Sequence, residues 1–222
     1  DQEGNVIWDS GDDNIIYYSL LDDGRFYGAK YDETLEYPYQ GVKYSLIEPE
    51  GANIVWEEPN EESVHHEFIE LPWGDYMGIV QHKQNGPIFA TSEMLNTYLA
   101  LGYAADGVTN EFPWLGHKLV IWDKDTKDVI WEWDSFENFS MLDYDILSDT
   151  WFQGFSNGRY DWTHANALWY DQTESAVYVA IRHLSRIVKI HYPSGEIIWS
   201  MGENMPSGDA GFGHDLGFNF QH

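Results

Sequence analysis

Cysteine is absent from this 222-residue chain. Disulfides therefore contribute nothing to its stability, and thiol usage says nothing about its compartment. No run of 18 apolar residues occurs, so no helix of this sequence is expected to span a bilayer. Basic residues are scarce, with 11 Lys and Arg against 38 Asp and Glu and a formal net charge of -27. So acidic a surface repels nucleic acid and anionic membranes, and neither is expected as a partner. Two readings of the acidity stay open: a solubility or salt adaptation, or cation binding by acidic loops. An initiator Met and a signal peptide are also missing. The chain opens in mid-pattern at Gly4-Asn5-Val6-Ile7-Trp8-Asp9. Residues are therefore expected ahead of it, and the missing signal excludes nothing.

What is present points to β-structure. Hydrophobic residues make up 43%, enough for a core, and aromatic residues 17%, with 11 Trp and 15 Tyr, whose flat rings pack well on a pleated surface. One phrase recurs, a turn followed by β-branched residues, Trp and often an acid. It reads Val6-Ile7-Trp8-Asp9, Ile54-Val55-Trp56-Glu57, Val129-Ile130-Trp131-Glu132 and Ile197-Ile198-Trp199-Ser200. The tryptophans lie 48, 75 and 68 residues apart. Repeats near 40–50 residues are the mark of propellers or solenoids, with insertions accounting for the longer gaps.

Hairpin signals fill the intervals. Ile15 to Leu21 and Arg25 to Lys30 flank Asp22-Asp23-Gly24, a strong turn signal. The fold expected is all-β, a β-propeller of four-stranded antiparallel blades over about 14–58, 65–133 and 164–200, as one partial domain spanning 1–222. Insertions are expected at 83–116, helical around Ser92 to Leu101, and at 134–161. Propellers have about 4–8 blades, so three cannot close a ring. Either the chain is a piece of a longer protein, the favoured reading, or copies assemble as a homo-oligomer to close it. An ordinary β-sandwich with accidental Trp repetition is the alternative.

Histidines fall at the heads of successive inner strands: His65 and His66, then His164, then His222. Inner strands line a propeller's central channel, so these residues are expected to converge at one mouth of it. The hairpin centred near Thr173 places Arg182 opposite His164. His183, the next residue, is expected on the other face. Imidazole serves as nucleophile, base or acid near neutral pH, and a guanidinium fork suits a tetrahedral oxyanion. The set fits group transfer from an oxyanion ester. The plainer readings are hydrogen-bonded core histidines, or a zinc site that an adjacent Arg would oppose by repulsion. Neither a metal nor another cofactor is expected. Asp143, Asp145 and Asp149 in the second insertion could bind Ca²⁺, but solvated loop acids are the reading preferred.

The run Asp161-Trp162-Thr163-His164-Ala165-Asn166, the strand end Ile181-Arg182-His183-Leu184-Ser185 and the phrase Gly195-Glu196-Ile197-Ile198-Trp199 resemble the arylsulfotransferase family. His65-His66-Glu67-Phe68 resembles its double-His motif, and Phe218-Asn219-Phe220-Gln221-His222 its last blade opening. The matches run in the family's order over about 52–222. Where the family has an Asn-Gly turn, this chain has Trp73-Gly74. The resemblance implies a six-bladed, periplasmic or secreted propeller. Such an enzyme moves a sulfuryl group from a phenolic sulfate ester to a phenol, without a nucleotide donor, through a sulfated His. By motif the nucleophile would be His222, the supporting residues His66, His164 and Arg182. Arg182, His65 and Asn166 would contact substrate. A non-catalytic extracellular binding propeller and a sulfate or phosphate ester hydrolase are the competing functions.

Overall fold

The computed structural model describes residues 3–35, 37–47, 50–89, 92–145, 150–213 and 217–221. Three antiparallel sheets follow one another along the chain, each ordered as its strands occur in sequence. The first holds β1 (Ile15–Leu20), β2 (Phe26–Tyr31), β3 (Tyr39–Leu46) and β4 (Ala52–Glu57). The second holds β5 (Val64–Glu70), β6 (Tyr76–Gly86), β7 (Phe112–Trp122) and β8 (Val129–Asp134), with helix α1 (Ser92–Ala100) between its middle strands. Helices α2 (Ser135–Asn138) and α3 (Thr150–Asn157) and the short β9 (Tyr160–Asp161) precede the third sheet. That sheet holds β10 (Ala165–Asp171), β11 (Ala176–Ile181), β12 (Arg186–His191) and β13 (Ile197–Gly202). The protein is thus all-β with few helices, and the helix expected near Ser92 is present.

Two differences from the sequence reading have simple causes. The first insertion is shorter than 83–116, because β6 runs on to Gly86 and β7 starts at Phe112. The second sheet also gains a fifth strand, β9, whose Tyr160 and Asp161 pair parallel with Trp114 and Leu115. A parallel pair cannot be joined by a tight turn, so hairpin signals do not announce it.

Contacts divide the chain into two compact units, Asp1–Val80 with Leu119–Glu132, and Gln81–Lys118 with Trp133–His222. In the first unit the core is aromatic. Trp56 stacks on Tyr76 at 4.0 Å, and Phe68 lies 5.7 Å from Trp56 and 5.5 Å from Tyr76. Buried Lys43 is paired with Glu70. In the second unit Trp151 of α3 stacks on Tyr160 at 4.0 Å, and Trp114 lies 5.0 Å from Tyr160 and 5.3 Å from Trp162. This cluster anchors the segment entering β10. Asp134 caps α2 by accepting the Phe136 N–H at 2.8 Å.

The recurring Trp has a structural task. The indole N–H of Trp8 donates to the Gly51 carbonyl at 3.1 Å, that of Trp56 to Lys124 at 2.8 Å and that of Trp133 to Gly195 at 3.1 Å. Each acceptor sits in the turn between the third and fourth strands of the next sheet. Each bond therefore latches one repeat to the outer turn of its successor. In the second repeat the latch is Trp133, two residues beyond the Trp131 of the recurring phrase.

Candidate functional site

The segment leading to His164 is fixed before the histidine is reached. Trp162 is fully buried; its backbone N–H donates to Leu115 at 3.0 Å and its indole N–H to the Asp143 carbonyl at 2.6 Å. Thr163 Oγ1 lies 2.8 Å from Nδ1 of buried His117. His164 itself adopts a left-handed backbone, φ +46°, beside the bulge that shifts the β10–β11 register. Non-glycine residues seldom do so, and His is among those that tolerate it. His66 has φ +63° at the β5–β6 register shift, and Phe220 has φ +50°.

His164 Nδ1 donates to Asp161 Oδ2 at 2.5 Å. Burial disfavours the Asp161 carboxylate, but the hydrogen bond from His164 and the field of that imidazole outweigh it and hold the group down to about 2. Asp161 is therefore a carboxylate at any ordinary pH, and it engages His164 through Nδ1. Sequence reasoning passed over Asp161. Its signal was present, three residues before His164 in the quoted run.

Arg182 lies where the hairpin register puts it. Its backbone N–H donates to the His164 carbonyl at 3.2 Å. The expectation for His183 is corrected: its ring lies 4.7 Å from that of His164, on the same side as the Arg182 guanidinium. Side chains alternate only within a strand, and β11 ends at Ile181; residues 182–185 form a turn. His183 Nδ1 faces the Asp161 carbonyl at 2.5 Å, and Nε2 faces Arg182 Nη1 at 3.1 Å. Burial, opposed by Asp161, lowers the His183 pKa, with His164 and Arg182 adding to the lowering. Asp161, His164 and His183 bring ligand atoms within 4.8 Å of one another. Both His183 nitrogens are already engaged, however, and the adjacent guanidinium repels a cation, so the arrangement suits an anion better than a metal.

The chain returns to this place at residues 217–221. Phe220 N–H donates to Ser185 Oγ at 3.2 Å, and its ring lies 5.3 Å from the Arg182 guanidinium and 5.5 Å from the His183 ring. Asn166 Nδ2 donates to the Gln221 carbonyl at 2.8 Å, while Gln221 Nε2 donates to the Arg186 carbonyl at 2.9 Å. Asn166 Oδ1 is buried and has no partner among the described residues. His222, the expected nucleophile, lies outside the described residues, as does Asp149.

His65 and His66 belong to the other compact unit, at the start of β5, with their rings 3.9 Å apart. Glu67 beside them is pushed up to about 7 by burial. Asp143 and Asp145 are buried at 0% and 3% exposure, which corrects the solvated-acid reading. Asp143 pairs with the equally buried Arg186 at 2.8 Å and accepts from Ser207 N at 2.8 Å and Oγ at 2.5 Å. Asp145 accepts from Thr150 Oγ1 at 2.7 Å. A fold that buries acids against its own donors spends them on structure rather than on solvent or cations.

A series of four-stranded antiparallel sheets, the third bringing His164, Arg182 and His183 together, defines an all-β protein. The chain belongs to the arylsulfotransferase family: the family described as Arylsulfotransferase (ASST) matches residues 92–210. None of the curated proteins matches it. The matched stretch contains Asp161, His164, Asn166 and Arg182. Family membership points to a transferase acting on aryl sulfates. Among the described residues no helix is long and apolar enough to cross a membrane.

Proposed function

We propose that this chain is the sulfuryl-transfer part of a nucleotide-independent aryl-sulfate sulfotransferase, periplasmic or secreted, whose sheets are blades of a six-bladed propeller in which 1–222 forms one partial domain. In the first half-reaction an imidazole nitrogen of His222 attacks the sulfur of a phenolic sulfate ester. The N–S bond forms as the S–O bond breaks, and the electron pair leaves on the phenolate. His164, held through Nδ1 by Asp161, gives that oxygen the proton on Nε2. Arg182 binds the equatorial sulfuryl oxygens, where charge accumulates, and Asn166 contacts the substrate. In the second half the acceptor phenol attacks sulfur and loses its proton to His164 Nε2. The N–S bond breaks, and its pair returns to His222.

The observation that carries this reading is the joining of His164 and Arg182 by one backbone hydrogen bond of 3.2 Å, with His164 oriented by Asp161. It supports the reading by holding the two residues it needs, one as proton donor and one as oxyanion binder, on one hairpin within the family-matched stretch. The test is p-nitrophenol release from p-nitrophenyl sulfate, with and without phenol, by the full-length protein and its His222→Asn variant. Release that needs phenol and disappears in the variant is expected. Release indifferent to phenol identifies a hydrolase, and no release overturns the reading in favour of a binding propeller.

A further inference from the structure

We propose that His183 is a positioning residue: as a neutral imidazole protonated on Nδ1, it clamps the Arg182 guanidinium in the orientation that receives the sulfuryl group. The purpose of the clamp rests on the sulfuryl-transfer reading; its geometry does not. A carbonyl can only accept, so the 2.5 Å contact between His183 Nδ1 and the Asp161 carbonyl requires a proton on Nδ1. A guanidinium can only donate, so the 3.1 Å contact from Arg182 Nη1 requires a bare Nε2. The two contacts together admit one tautomer and exclude the imidazolium. The ring is 4% exposed and therefore held by packing as well.

Three other constraints close the clamp. Phe220 covers the guanidinium at 5.3 Å and touches the His183 ring at 5.5 Å, a cation–π and aromatic cover on one side. The His183 backbone N–H donates to Thr163 at 3.1 Å, which ties the turn to the segment carrying Asp161 and His164. The charged or titratable groups facing His183 are Asp161 and His164 from that segment and Arg182 from its own turn. The carboxylate offsets the guanidinium, and the imidazole stays neutral between them. Without this acceptor the guanidinium, on a flexible stem, would keep its charge but lose its aim. Misplacement of a binding group by about 1 Å costs on the order of 100-fold in rate.

Two measurements on the full-length protein test the clamp. Nitrogen-15 NMR of the unmutated protein at pH 7 is expected to show His183 neutral with its proton on Nδ1. A proton on Nε2, or an imidazolium, overturns the proposal whether or not the protein turns over substrate. In turnover of p-nitrophenyl sulfate, His183→Gln places an amide oxygen near the lost Nε2 and can still accept from Arg182. His183→Asn reaches only the Nδ1 position and cannot. kcat/KM is expected to fall about 10–100-fold in the Asn variant and to recover to within roughly threefold in the Gln variant. Equal losses in the two variants overturn the clamp. An unmutated protein that releases no p-nitrophenol instead overturns the sulfuryl-transfer reading, and the NMR result alone then decides the clamp.

Discussion

Breaking the Asp143–Arg186 pair tests how the second insertion is fastened to the third sheet. Both side chains have no exposed surface, and the carboxylate accepts from the Arg186 guanidinium at 2.8 Å, from Ser207 N–H at 2.8 Å and from Ser207 Oγ at 2.5 Å. Arg186 also lies 5.4 Å from the Phe139 ring. In Asp143→Asn the amide oxygen can face only one of these donor sets. The buried guanidinium loses its counter-charge, or the Ser207 N–H loses its acceptor. Removing one partner of a buried ion pair costs about 3–5 kcal/mol. For a chain of this length that corresponds to a fall of roughly 6–20 °C in Tm. Arg186→Met leaves the carboxylate unpaired and should cost a similar amount. The double variant leaves no uncompensated charge, so its cost should fall short of the sum of the singles by about 2 kcal/mol. Urea unfolding followed by near-UV circular dichroism measures all four proteins. Single losses below about 1 kcal/mol, or a double variant additive within about 0.5 kcal/mol, would refute the argument.

Glu58 is buried, with Oε2 accepting from Asn60 N–H at 2.8 Å and Oε1 without a partner among the described residues, and burial pushes its pKa up from 4.5 to about 8. A raised carboxyl favours folding below about pH 4.5 and loses that contribution as pH rises through about 8. Glu58→Gln should therefore match the unmutated protein near pH 4 and exceed it at pH 9, by up to about 3–5 kcal/mol; the same difference at both pH values in thermal melts would contradict the burial argument. Trp56→Phe keeps the ring but deletes the indole bond to Lys124, whose carbonyl can turn to water, and should cost about 1 kcal/mol. Trp56→Ala also empties the contact with Tyr76 and should cost about 3–5 kcal/mol. Equal losses in denaturant titration would show that the latch, not the ring packing, dominates.

The sequence alone determined the three sets of four antiparallel strands and their order, but not the added strand β9. Period-two alternation and turn residues such as Asp22-Asp23-Gly24 act over a few residues, and they placed β1 to β4 and β10 to β13 close to where they lie. The recurring Trp likewise announced the repeat. Position 182 opposite His164 followed from counting back along one hairpin. The tertiary structure decided what depends on contacts between distant or irregular segments. Only the tertiary hydrogen bonds show that Trp133, two residues past Trp131, reaches the turn of the next sheet. His183 turns toward Arg182 because it stands past the end of β11, where alternation no longer applies. The pairing of Asp143 with Arg186 joins residues 43 positions apart, and no local pattern encodes it. Composition marked that aspartate as one of many exposed acids; burial made it the counter-charge of a buried arginine.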